Sequence, residues 1–197
     1  NIENEIIKIK NEDKYQILLE QLEKREGTVL IFVKTKHGTV KMAKNLSHDH
    51  FMSEPLNGNL RQNKRDKVMK KFREKKFRIM VATDIASRGL DIPTVDMVIN
   101  YDVPLIPRDY VHRIGRTARA GRAGRAITLV TQHDVSLVHQ IERITCRKLV
   151  QLSELSEEAT LKDMARVFAA RRAANLNNGG ACGFDDILRQ RRARYNK

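Results

Sequence analysis

Residues 112–126, HRIGRTARAGRAGRA, carry arginine at every third position: Arg113, Arg116, Arg119, Arg122 and Arg125. A helix turns 3.6 residues per turn, so a three-residue step drifts about 60° each time and spreads the charges around the axis. Gly121 and Gly124 weaken any helix beyond about residue 120. The pattern predicts a helix carrying the first two or three arginines, followed by a basic, flexible turn. Three other stretches pair hydroxyl, glycine or charged residues with the end of an apolar run: KTKHG at 34–38, TDIASRGLDIP at 83–93 and YDVP at 101–104. Such loops place backbone N–H groups where phosphate oxygens can meet them.

Four apolar or β-branched runs precede or follow these loops: VLIFV at 29–33, RIMVA at 78–82, MVIN at 97–100 and AITLV at 126–130. None alternates polar with apolar residues, so each strand is expected to be buried on both faces, as in a parallel sheet. Weaker strands are expected at Phe51–Leu56 and Ile2–Ile9. Helices are marked by Tyr15, Leu18, Leu19 and Leu22. Val40, Ala43 and Leu46 mark another, as do Val68, Met69 and Phe72, and Val138, Ile141 and Ile144. Alternating strands and helices imply an α/β fold, an open and mainly parallel sheet with helices on both faces. In such sheets ligands sit at the C-terminal ends of the strands, where the singled-out loops fall.

The 197 residues carry 38 Lys and Arg against 24 Asp and Glu, a formal charge of +14. That excess points to a polyanionic partner, most often nucleic acid. Ten basic residues lie between Arg61 and Arg78, and nine between Thr160 and Lys197. No apolar run approaches a membrane span and no secretory signal is visible, so an intracellular, cytoplasmic protein is expected. The chain does not begin with Met and reads as a piece of something longer. Cys146 and Cys182 read as reduced thiols. His48, Asp49 and His50, and separately His133, Asp134 and His139, lack the ligand number of a structural zinc site, so no metal is assigned. The expected divisions are a domain over 1–149, a helical extension over 150–175 and a basic, flexible tail over 176–197.

VATDIASRGLDIP, INYDVP and YVHRIGRTARAG, in that order, resemble the C-terminal RecA-like domain of the DEAD-box ATP-dependent RNA helicases. LIFVKTK and GNLRQNKRDKVMKKFR resemble two further family motifs, and the likeness spans about residues 1–147. The resemblance implies the C-terminal half of an ATPase whose ATP lies between two RecA-like domains. It makes Arg116 and Arg119 arginine fingers on the γ-phosphate, whose developing charge planar guanidinium donors match in pairs. Asp91 becomes a ribose contact, and Arg88 and His112 become links to the first domain. Thr35, Gly58, Arg65 and Thr83 resemble RNA phosphate contacts, with Gln62 supporting Arg65. RNA and the protein's own N-terminal RecA-like domain are the implied partners, and a monomer is expected.

Neither a G-x-x-x-x-G-K-[ST] loop nor an apolar strand ending in Asp-Glu-x-Asp occurs. The groups that hold ATP and Mg²⁺ are therefore expected in a first domain outside this chain, and this chain alone should be inactive. The family usually has glycine at Ala118; alanine, the better helix former, is expected to be harmless there. Arg122 and Arg125 read as part of a solvated basic turn. The competing reading is a non-catalytic RNA-binding or assembly module that kept the fold; intact Arg116, Arg119 and Asp91 favour the enzyme.

Overall fold

The computed structural model describes residues 2–87, 92–118, 123–145 and 149–151. The apolar runs form strands because both of their faces are covered. Every residue of β2 (Val29–Phe32), β4 (Ile79–Ala82) and β5 (Met97–Asn100) is buried. Around them lie β1 (Ile2–Lys8), β3 (Ser53–Leu56), β6 (Gly124–Val130) and the two-residue β7 (Val150–Gln151). The seven strands are ordered β3-β4-β2-β5-β6-β1-β7, and every pairing is parallel. The sequence reading is thus confirmed as an open parallel sheet. β7 lies outside its expectations, since two residues carry no periodicity.

The helices are α1 (Lys14–Glu23), α2 (Lys36–His48), α3 (Gln62–Arg73), the single turn α4 (Asp84–Ser87), α5 (Pro107–Ile114) and α6 (Val135–Thr145). In register, Leu30 lies opposite Met80 and Val98, and Phe32 opposite Ala82. These residues share a core with Met69 and Phe72 of α3. Tyr110 of α5 and Val138 and Ile141 of α6 pack with Ile6 and Val130 in a second cluster. The connections β1–α1–β2 and β2–α2–β3 cross the sheet in the opposite direction to the later ones. Right-handed crossovers therefore seat α1 and α2 on the other face.

Two residues read as part of apolar stripes face solvent instead: Val40 and Ile144 are 52% and 53% exposed. In each case the residue lies six positions from the far end of its proposed stripe, about 120° off the buried face. The buried stripe of α2 is Thr39, Met42, Ala43 and Leu46. Thr39 is tolerated there because its hydroxyl donates to the Lys36 carbonyl at 2.6 Å. The expected extension over 150–175 and tail over 176–197 lie almost entirely outside the described residues.

Candidate functional site

Parallel strands end on one edge, and the loops entering α2, α3, α4 and α5 all rise from it. At the end of β2, Thr35 caps α2. Its backbone is extended (φ −123°, ψ 153°) and its Oγ1 accepts from the Gly38 amide at 2.9 Å. Thr35 is exposed, beside amide groups that the helix leaves unpaired and that carry its positive dipole end. After β3, the buried Asn57 donates to Thr39 Oγ1 at 2.9 Å and accepts from the Asn59 amide at 3.1 Å. That turn presents Gly58 to solvent, and a Cβ there would meet no atom within 4 Å. Lys36 Nζ donates to Asn59 Oδ1 at 3.0 Å and ties the two loops together.

Gln62 and Arg65 open α3. Gln62 Nε2 donates to Asp66 Oδ1 at 2.9 Å, so its observed partner lies one turn on rather than at Arg65. Arg65 is half-buried, and its Nε is buried with no hydrogen-bond partner among the described residues.

Thr83 follows β4 directly and is buried, with its carbonyl accepting from the Ser87 amide. The next residue, Asp84, is gripped by Arg113: Nε to Oδ1 at 2.6 Å and Nη2 to Oδ2 at 2.8 Å. Arg113 Nη1 also donates to Asn100 Oδ1 at 3.1 Å and to the Asp102 carbonyl at 2.7 Å. Its guanidinium stacks 4.8 Å from the Phe32 ring centroid. This fork therefore joins the ends of β2, β4 and β5 to α5. Arg116, three residues on, donates from Nη2 to the Ser87 carbonyl at 3.3 Å. The Thr83 loop and the Arg116 turn are thus held side by side. His112 stands exposed on α5, with Nδ1 3.7 Å from Asp109 Oδ1.

The structure corrects the expected course of the arginine stretch. α5 ends at Ile114, so it carries Arg113 but not Arg116. The Arg116 and Thr117 amides bond three residues back, to Arg113 and Ile114, tightening the chain into a turn. Thr117 is then pulled out of the helical path, because its Oγ1 donates to the Val95 carbonyl at 2.6 Å and Val95 bonds back to the Arg116 carbonyl. Ala118 has φ 55°, the left-handed region that favours glycine, so helix propensity is not the quantity that decides its effect. Gly124 is required: a Cβ would lie 2.2 Å from Thr117 Oγ1 and 2.4 Å from the Ala118 amide. Arg125 is a β6 residue paired with Glu3 and Glu5 of β1, not part of a solvated turn. Arg88, Asp91, Arg119 and Arg122 lie outside the described residues.

Sequence reasoning assigned nothing to Arg113, Asn100 or Asp102. One signal could have found Arg113: Asp84 is a lone carboxylate at an apolar strand end, and it needs a partner. Among the described residues no group of three His, Cys, Asp or Glu side chains could hold a metal ion. No helix among them is long and apolar enough to cross a membrane.

An open parallel sheet with helices on both faces is the RecA-like architecture that the motif resemblance implies, and the comparisons agree. Residues 13–121 match the helicase conserved C-terminal domain. The ATP-dependent RNA helicase DDX47 of Drosophila melanogaster is 43% identical over 171 residues, covering 86% of this chain and 33% of that protein. The ATP-dependent rRNA helicase RRP3 of Encephalitozoon cuniculi is 46% identical over 145 residues, covering 73% and 36%. The Escherichia coli DEAD-box protein SrmB, solved bound to the regulator of ribonuclease activity A, matches with a TM-score of 0.74 at 34% identity. That match covers 78% of this chain and 91% of SrmB's solved chain. The C-terminal domain of the DEAD-box protein Dbp5 matches with a TM-score of 0.73 at 28% identity, covering 83% and 96%. The chain belongs to the helicase conserved C-terminal domain family, and within it to the DEAD-box RNA helicases. It spans about a third of the length of the curated relatives it matches.

Proposed function

We propose that this domain is the C-terminal half of an ATP-dependent RNA helicase, binding RNA along its backbone and completing an ATP site held mainly by a first domain. The observation that carries this reading is the fork of Arg113, which sets the Thr83 loop against the turn of Arg116. One side of that junction meets RNA phosphates at Thr35, Gly58, Arg65 and Thr83, with Gln62 beside them. The other presents Arg116, with Arg119, Asp91, Arg88 and His112 assigned by family likeness to the nucleotide and to the first domain.

ATP supplies a terminal phosphoryl group whose charge, in the transition state, is spread over its three equatorial oxygens. Arg116 neutralises that charge with donors fixed in a plane. Gly58, open on the side where a Cβ would sit, lets a backbone phosphate approach the main chain. Contacts to phosphate do not read sequence, so RNA of any sequence is a substrate. By family likeness the Mg²⁺ ligands are assigned to the first domain.

The test is RNA-stimulated ATP hydrolysis by the full-length protein. Arg116→Ala should lower turnover on the order of 10³-fold while RNA binding survives. Arg125→Ala, on the Glu3 and Glu5 side of β6, should leave turnover within about threefold. Equal losses at the two positions would mean that the arginines act as bulk positive charge, and the reading fails.

A further inference from the structure

Asp102 stands where the ends of β2 and β5 meet, and nothing in the proposed reaction uses its carboxylate. One oxygen, Oδ2, accepts from the Lys34 amide at 2.8 Å. The other, Oδ1, accepts from Lys14 Nζ at 3.2 Å. Its own amide bonds to the Phe32 carbonyl at 3.2 Å, and its carbonyl takes a bond from Arg113. We propose that Asp102, backed by Lys14, is a positioning residue for the RNA-binding turn at Thr35. This rests on the reading of Thr35 as a phosphate contact.

Val33 still pairs with β4, through the Ala82 carbonyl. The next amide, Lys34, is met by the Asp102 carboxylate rather than by a strand. That bond fixes the chain one residue before the Thr35 cap, and so the direction in which Thr35 and the first amides of α2 face. The carboxylate is itself held. Lys14, with a side chain only 7% exposed, lies at the start of α1 and sets its ammonium against the second oxygen, Oδ1. Its Nζ also lies 5.3 Å from the Tyr101 ring centroid. Burial, and then the Asp102 charge, push the Tyr101 phenol up to about 12, so the ring stays neutral beside both groups.

Asp102 therefore braces the turn with one oxygen, and the buried ammonium sets the direction of that oxygen. Phosphate contacts depend on aim, so loss of the brace should weaken RNA engagement. The Arg113 bond to the Asp102 carbonyl is a main-chain bond that substitution preserves. Turnover at saturating RNA should therefore be spared.

The experiment measures RNA-stimulated ATPase of the full-length protein with a polyuridine RNA, in a Lys14→Met background, which takes the ammonium from Asp102 Oδ1 and should itself raise the half-saturating RNA concentration about threefold over the unsubstituted protein; an unchanged value would remove Lys14 from the role. Asp102→Asn retains an oxygen for the Lys34 amide and should keep the half-saturating RNA concentration within about twofold of the background. Asp102→Ala removes the acceptor and should raise it about tenfold, with kcat within about twofold in both. If the alanine variant fails to fold, Asp102→Leu, which is close to Asn in shape and offers no acceptor, takes its place with the same expected rise. Thr35→Ala is measured alongside and should raise half-saturation as well. If it does, but Asn and Ala at 102 behave alike, the role of Asp102 is overturned and the RNA reading stands. If Thr35→Ala changes nothing, the phosphate assignment at Thr35 falls, and the positioning role falls with it.

Discussion

Arg113→Met should destabilise the fold, whereas Arg116→Ala, three residues on, should disable the reaction. Arg113 is 2% exposed and makes four hydrogen bonds to three residues at the ends of β4 and β5. Methionine keeps most of the volume but leaves the Asp84 carboxylate without its fork, and takes a donor from the fully buried Asn100. Breaking a buried pair by removing one partner costs about 3–5 kcal/mol. The Asp84 side chain is 26% exposed and can recover some hydration, which puts the expectation near the lower end, about 3 kcal/mol. Against a typical total of about 5–15 kcal/mol, this is a large fraction. Urea titration should show a lower midpoint with an unchanged slope. Arg113→Lys keeps the charge but not the planar fork, and should lose about half as much. Asp84→Asn combined with Arg113→Met should cost less than the sum of the two, because the stranded carboxylate is gone. If Arg113→Met proved no less stable than Arg116→Ala, the fork would not hold the strand ends together.

Ala118→Gly should stabilise the protein. A left-handed backbone costs an alanine about 1–2 kcal/mol, and glycine gives back about 0.5–1 kcal/mol in chain entropy. A midpoint that falls in thermal or urea unfolding would contradict the conformation found at that turn. Stability should also decline in alkali. The Tyr101 pKa is raised in the folded state, so its contribution is complete below the unfolded value of about 10 and is lost as pH rises from there through about 12. Tyr101→Phe should flatten the urea-measured stability between pH 10 and 12; an identical slope in both proteins would refute the assignment.

Much of the fold was legible in the residues because it follows from local pattern. Unbroken apolar runs such as VLIF and MVIN can be strands only if both faces are covered, and that requirement leads to a parallel sheet with helices on each side. The loop KTKHG was legible as the end of an apolar run, but that Thr35 within it caps α2 is a finding of the structure. Val40 and Ile144 were misplaced because a three-residue repeat fits a helical stripe for one step and leaves it on the second.

The arginine stretch shows where pattern stops being sufficient. By itself the sequence established that five arginines share fifteen residues, in the order and company found in the DEAD-box family. Only the tertiary structure decided where the described ones lie and what they bond to. Arg113 is buried because Asp84 and Asn100, distant in sequence, converge on it across three strands. Arg116 leaves the helix because Thr117 finds the Val95 carbonyl, and Arg125 is drawn to Glu3 and Glu5 by the pairing of β6 with β1. A side chain's charge and propensity are local properties that can be read in order along the chain. Its burial and its partner depend on which strands become neighbours, and that is settled only when the sheet closes over its core.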